Sequence, residues 1–265
     1  MKKRRKAVLI LLAAAVTVAA GLTAAHAARP MLLEWLYEYQ SHTDAEAAVM
    51  AYAQENDVSY GQYPPELIEL LERNPETEAF VLEYPQAKDQ EYEIDLSEYD
   101  RSEGVPLLLQ WDRRWGYAEY GDGIIGLTGC GPVCLSMAGY YVTGDTSLTP
   151  EAVAAFAEEN GYYSSGNGSK WTLISEGGTQ LGLDVTQIPL LESRIMDNLA
   201  VDNPIICAVG PGDFTTTGHY IVLVGEEDGL ISVNDPNSRK NSEKLWSYEQ
   251  LESQIRNLWV IRAGG

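Results

Sequence analysis

The chain has 265 residues, 45% of them hydrophobic, and a formal net charge of −21 at pH 7. Length and composition give a globular protein with one sizeable core and an appendage, and exclude a disordered chain. The charge argues against nucleic-acid binding through phosphate neutralisation and, taken over the whole surface, points to a neutral or basic substrate.

Residues 1–27 read as a secretory signal peptide. Lys2, Lys3, Arg4, Arg5 and Lys6 form a positive start, Ala7 to Ala25 is an apolar run, and Ala25-His26-Ala27 is a small-x-small cleavage site. An uncleaved anchor over 7–25 is the alternative, because the run is about as long as a short membrane span. Loss of 1–27 removes five positive charges and leaves −26. The expected location is secreted or extracytoplasmic, with membrane contact only through this segment. Cys130, Cys134 and Cys207 remain, an odd number in an exported chain, so at least one thiol is free or pairs between chains.

Residues 28–103 read as an acidic helical arm. Helical spacing runs from Arg29 to about Asn56, Pro64-Pro65 opens a helix over 66–73, and Asn74-Pro75 stops it. A third helix is expected over 76–84. Tyr92, Ile94 and Leu96 alternate, as in a short strand or an extended link.

The main domain is expected over 104–265. An extended apolar entry, Val105 to Asp112, leads to the cysteine helix. Thr149-Pro150 caps a helix over 150–159, Gly166 to Lys170 is a flexible loop, and Trp171 starts a helix that ends at Gly182. Leu191 to Leu199 is amphipathic. Pro204–Val209, His219–Val224 and Leu230–Asn234 are β-rich, with a turn at Asp228-Gly229. Ser247 and Gln250 form a capping box before a helix over 248–256, and Leu258 to Ile261 closes as a strand. Helices followed by an antiparallel sheet give the α+β class.

Chemistry concentrates at Gly129-Cys130-Gly131-Pro132. The glycines allow a tight path and Pro132 suits the first helical turn. Cys130 thus sits at a helix N-terminus, where free N–H groups and the dipole favour a thiolate nucleophile. Such a nucleophile needs a base, and the base an orienting group. Of three histidines, His26 lies in the signal segment and His42 in the arm, so His219, after Gly218 at a strand mouth, is the candidate base. Asp235 closes the next strand. A two-residue turn on Asp228-Gly229 sets Asp235 opposite Val222, out of phase with His219. A loop centred on Glu227, or a bulge, brings the two into phase. Gln110 could direct a side-chain amide at a developing oxyanion, together with the Cys130 N–H.

These residues resemble the papain-like cysteine peptidases of the C-thirty-nine-like group, related to the double-glycine-leader peptidase domains of bacteriocin exporters. The resemblance rests on Gln110-Trp111-Asp112 with Trp115, Gly129-Cys130-Gly131-Pro132 with Met137, Gly218-His219-Tyr220-Ile221-Val222, and Asn234-Asp235-Pro236, in that order over roughly 104–262. Tyr63-Pro64-Pro65-Glu66-Leu67 and Asn74-Pro75-Glu76-Thr77 resemble what precedes that domain in secreted bacterial members. The resemblance implies a papain-like α+β fold, Cys130 as nucleophile, His219 as base and acid, Asp235 as its orienter and Gln110 as oxyanion donor. Trp171 and Gly218 are the candidate substrate-binding residues. No cofactor or metal is implied, and the partner is a peptide or protein substrate. The chain carries no transporter domain, so export coupled to leader cleavage is not implied.

Competing readings are weaker. Cys130 and Cys134 are separated by three residues, not the two of a thioredoxin-type dithiol. A zinc site from Cys130, Cys134, Cys207 and His219 lacks finger or ribbon spacing. Cys134 and Cys207 read as core residues. The rival is a catalytically silent papain-like domain that binds extracellular peptide or cell wall, with the 16 Tyr and 6 Trp as recognition surface.

Overall fold

The structure, a computed structural model, describes residues 43–265. The signal segment, His42 and the first part of the expected arm helix lie outside the described residues.

The arm folds on its own small core. Helix α1 (Asp44–Glu55) starts at a capping box between Thr43 and Glu46. Helix α2 (Pro65–Arg73) has proline at its first position and buries Leu67, Ile68, Leu70 and Leu71 on one side. The third expected helix is broken into a 3₁₀ turn (Pro75–Thr77), α3 (Glu78–Leu82) and α4 (Tyr84–Ala87). Tyr92 to Asp95 joins no sheet and is the extended link, not a strand. The ring of Phe80 stacks on Tyr117 of the main domain with centroids 4.3 Å apart, and Tyr117 Oη donates to the Phe80 carbonyl. That shared core fixes the arm to the domain.

The main domain has three layers. Two short ribbons, β1–β2 (Glu119–Tyr120, Gly123–Ile124) and β3–β4 (Tyr163–Ser164, Gly168–Ser169), flank the helices. Helix α5 (Ile125–Thr128) leads into α6 (Cys130–Thr143), and α7 (Pro150–Glu159) packs on α6. The stretch expected to be a flexible loop at 166–170 is therefore half ribbon. The helix after Trp171 runs as a wide π turn over Leu173–Gly177 into α8 (Gly178–Gln180).

The sheet is antiparallel, in the order β5-β10-β6-β7-β8-β9, with β5 Leu183–Gln187, β6 Ile205–Val209, β7 His219–Glu227, β8 Leu230–Asn234, β9 Leu245–Trp246 and β10 Ile255–Ala263. Strand β6 is buried along its whole length, as its continuous apolar sequence requires. Ile206, Ala208, Tyr220 and Val222 face α6, and Ile205, Cys207, Ile221 and Leu223 face the opposite layer. That layer contains α9 (Glu192–Leu199) and α11 (Tyr248–Glu252). Full burial of each such aliphatic side chain contributes about 1.5–3 kcal/mol. Helix α11 is shorter than its capping box suggests, because Ile255 already pairs with Val209 in the sheet.

Candidate active site

Helix α6 begins at Cys130, with Gly129 as its N-cap. A Cβ on Gly131 would meet Ser169 Oγ at 2.5 Å, so this glycine lets β4 pack directly over the first turn. Ser169 is fixed in turn by the hydroxyls of Tyr120 and Tyr220. The N-terminus of α6 is thereby held against both the ribbon and β7.

The hairpin resolves the register question through a bulge. Asp228-Gly229 does form the two-residue turn, both residues having positive φ, and Glu227 pairs with Leu230. The register shifts between Leu223 and Gly225, so that Val222 pairs with Asn234. Asp235, one step on, comes level with Ile221 and in phase with His219. His219 Nε2 lies 2.8 Å from Asp235 Oδ1. Cys130 is the other neighbour that acts on the imidazole. With Nε2 committed to Asp235, Nδ1 is the nitrogen left for the sulfur.

Electrostatics follow from this placement. Burial acts most strongly on His219 and lowers its pKa. The Asp235 carboxylate and the Cys130 sulfur together outweigh burial and push it up to about 10. The imidazole is thus held charged at neutral pH. Asp235 is 1% exposed. Its Oδ1 also accepts from the Asn237 N–H, and its Oδ2 from Asn241 Nδ2. Burial pushes the thiols of Cys134 and Cys207 upward, so both are poor nucleophiles. All three cysteines are free thiols.

Gln110 is buried, with Nε2 donating to the Gly126 carbonyl at 2.9 Å and Oε1 left without a partner among the described residues. An orphaned buried acceptor costs about 1–3 kcal/mol. The Gln110 backbone N–H donates to the Pro236 carbonyl, and Trp111 Nε1 to that of Asn237. The Gln110-Trp111 segment therefore braces the loop that carries Asp235.

An open cleft of about 600 Å³ runs past the sulfur, lined among others by Cys130, Ser169, Trp171, Gly218, His219 and Arg256. Trp171 is half exposed and meets Trp259 edge-on at 5.9 Å. Gln110 does not line the cleft, nor does any residue of 43–103. Among the described residues no group of acidic, His and Cys side chains could hold a metal, and no helix is long and apolar enough to cross a membrane.

Sequence reasoning missed several supporting residues. Asn237 and Asn241 complete the shell around Asp235, and the polar run Asn-Ser-Arg-Lys-Asn after Asp235-Pro236 was their available signal. Glu76 of the arm accepts from Ser238 Oγ (2.7 Å) and the backbone N–H of Arg239 (2.9 Å), and Asn74 Nδ2 donates to the Asn237 carbonyl. No local pattern indicates such contacts across 160 residues.

The sequence model of the Peptidase_C39 like family matches residues 102–264. The chain belongs to that family. Its fold is the papain-like one, and the domain is of the cysteine-peptidase type. Among solved structures, the chain is similar to the peptidase domain of Streptococcus ComA, a bi-functional ABC transporter involved in quorum sensing. Identity is 22% over 52% of this chain and 93% of that one, with a TM-score of 0.40. The peptidase domain of Streptococcus mutans ComA matches at 20% identity over 42% and 88%, TM-score 0.34. A structure described as a C39-like peptidase from Bacillus anthracis matches at 14% identity over 66% and 100%, TM-score 0.36. No curated protein matches the chain.

Proposed function

We propose that this protein is an exported cysteine peptidase that works through Cys130, His219 and Asp235. The observation that carries the reading is the His219 imidazole bonded to the buried Asp235 carboxylate and lining, with Cys130, one open cleft. Export rests on the signal pattern of residues 1–27.

The attacking species is the thiolate form of Cys130, beside the charged imidazole of His219. Sγ of Cys130 attacks the carbonyl carbon of the substrate, and the C=O π pair moves onto oxygen. The first N–H groups of α6, which have no partner within the helix, are the donors for that oxyanion; the Gln110 amide, bonded to the Gly126 carbonyl, would have to turn toward the cleft to join them. Collapse of the intermediate breaks the C–N bond, and His219 gives its proton to the leaving amine. A thioester remains on Cys130. The sulfur is now neutral, so one of the charges that held His219 protonated is gone. The imidazole is a better base at the moment when it must take a proton from the attacking water. Hydrolysis returns the carboxylic acid and the thiolate–imidazolium pair.

The test is the pH dependence of Cys130 alkylation by iodoacetamide, in Cys134→Ser/Cys207→Ser protein with and without His219→Ala, followed by a peptide screen. Labelling that persists below about pH 7 and moves to the ordinary thiol range near pH 8–9 in the His219 variant, with turnover that Cys130→Ala abolishes, supports the peptidase. The same ordinary thiol profile in both proteins refutes the Cys130–His219 pair. Peptide retention without turnover by the wild type, undiminished in Cys130→Ala, would make the domain a binding module.

A further inference from the structure

The cleft does not share the charge of the rest of the chain. Acidic residues outnumber basic ones 39 to 18, yet no Asp or Glu lines the cleft, whereas Arg256 and His219 do. Of the carboxylates close in sequence to its lining, Asp122 accepts from Ser165 Oγ and from the Gly166 N–H at the rim, and Asp213 from Gln254 Nε2.

Arg256 is positioned by the backbone. It is the extra residue of a bulge in β10, where the pairing with β6 shifts between Ile255 and Asn257. A bulge leaves one residue out of the ladder and redirects its side chain. Nη1 donates to the Ser253 and Ile255 carbonyls, which anchors one side of the guanidinium. Nε and Nη2 lie 2.7 and 2.8 Å from where a Cβ on Gly210 would stand. The group therefore lies over Gly210, in space that any other residue there would fill. Among the described residues, no hydrogen bond or ion pair uses Nε or Nη2, and the residue is exposed. An anchored guanidinium with two donors on one edge matches the two oxygens of a carboxylate.

We infer that Arg256 is a specificity residue of this cleft and that it selects a substrate carrying a carboxylate near the scissile amide, an acidic peptide rather than the neutral or basic one that net charge suggests. The inference rests on the proposed nucleophilic role of Cys130, but its first test does not need turnover. The rate of Cys130 labelling by anionic iodoacetate is divided by that for neutral iodoacetamide, at fixed pH and low salt. The expected ratio falls by about threefold in Arg256→Gln, an exposed-pair effect, falls further in Arg256→Glu, and is largely kept in Arg256→Lys. An equal ratio in all four proteins overturns the inference. Should Arg256→Gln fail to fold, protection of wild-type Cys130 decides. N-acetylglutamate amide slows labelling more than N-acetylglutamine amide if the inference holds, and the two protect equally if it fails. In peptide assays, wild type prefers Glu over Lys beside the scissile bond and Arg256→Glu reverses the order. Cleavage with no charge preference overturns the inference alone, whereas failure of every peptide with Cys130 still labelled removes the peptidase reading and leaves the ratio to decide on Arg256.

Discussion

Replacing Asp235 by Asn keeps the shape of the side chain and removes its charge. An opposite charge 2.8 Å away is worth about 6 kcal/mol at an effective dielectric of about 20. Burying the imidazolium costs several kcal/mol in the other direction. In the variant, burial is opposed by Cys130 alone, the smaller of the two raising partners. His219 should therefore fall from about 10 to near or below the ordinary imidazole value of about 6.5. Imidazole NMR across pH reads this directly, and Cys130→Ala should lower the same titration by less. The stability consequence has a definite sign. Folding raises this pKa, so charged His219 adds stability that is complete below about pH 6.5 and is lost as pH climbs through about 10. Urea titration should show Asp235→Asn more destabilised at pH 6 than near pH 10.5. Turnover at pH 7 should drop at least about a hundredfold, the usual scale for general acid–base catalysis. An unchanged His219 titration in Asp235→Asn would show that the carboxylate does not hold the charge, and the reasoning would fail.

Gln110→Ala should lower kcat by about 10²–10³ with little change in KM if the amide meets the oxyanion; its thermal melt should fall, because the loss of the donor to the Gly126 carbonyl and the cavity left behind outweigh removal of the orphaned acceptor. Gly131→Ala drives a methyl into Ser169 and should cost about 1–3 kcal/mol in urea unfolding, with weakened Cys130 labelling as the ribbon shifts. Glu76→Ala leaves the Ser238 hydroxyl and the Arg239 N–H without their arm partner. It should cost about 1–3 kcal/mol and lower kcat more than it raises KM, whereas an unchanged kcat would make the contact purely structural.

The sequence revealed what depends on local chemistry. Thr149-Pro150 and Ser247–Gln250 predict caps that the structure forms, and the apolar run of β6 predicts a fully buried strand. What it concealed depends on partners. Strand β5 exposes most of its residues, and its pattern of one buried side chain gives no period to read; it is a strand because Trp259 to Ala263 pairs with it. Helix α11 stops early because the sheet claims Ile255. The phase of Asp235 and His219 was legible as a demand on the hairpin, but not its solution. Either a different loop or a bulge satisfies that demand, and only the ladder shows the shift between Leu223 and Gly225. Gln110 was legible as a residue type, while its commitment to Gly126 and Pro236 was not.

The Asp235 loop explains why the arm belongs with the site although it lines none of the cleft. A buried carboxylate orients an imidazole only if its own position is fixed, and this one sits on an irregular loop just beyond the end of β8. Four sets of contacts fix it from different sides. Gln110 and Trp111 hold the carbonyls of Pro236 and Asn237. Asn241 and Ser242 of α10 (Arg239–Ser242) bond the Asp235 side chain and its N–H. Asn74 of the arm takes the Asn237 carbonyl, and Glu76 takes the first polar hydrogens of α10. Removing the last two would leave the front of α10 in water and free the loop on one side. A segment that covered the cleft would have to leave for catalysis to begin. The described part of this arm does the opposite, because its departure would loosen the group that keeps His219 charged.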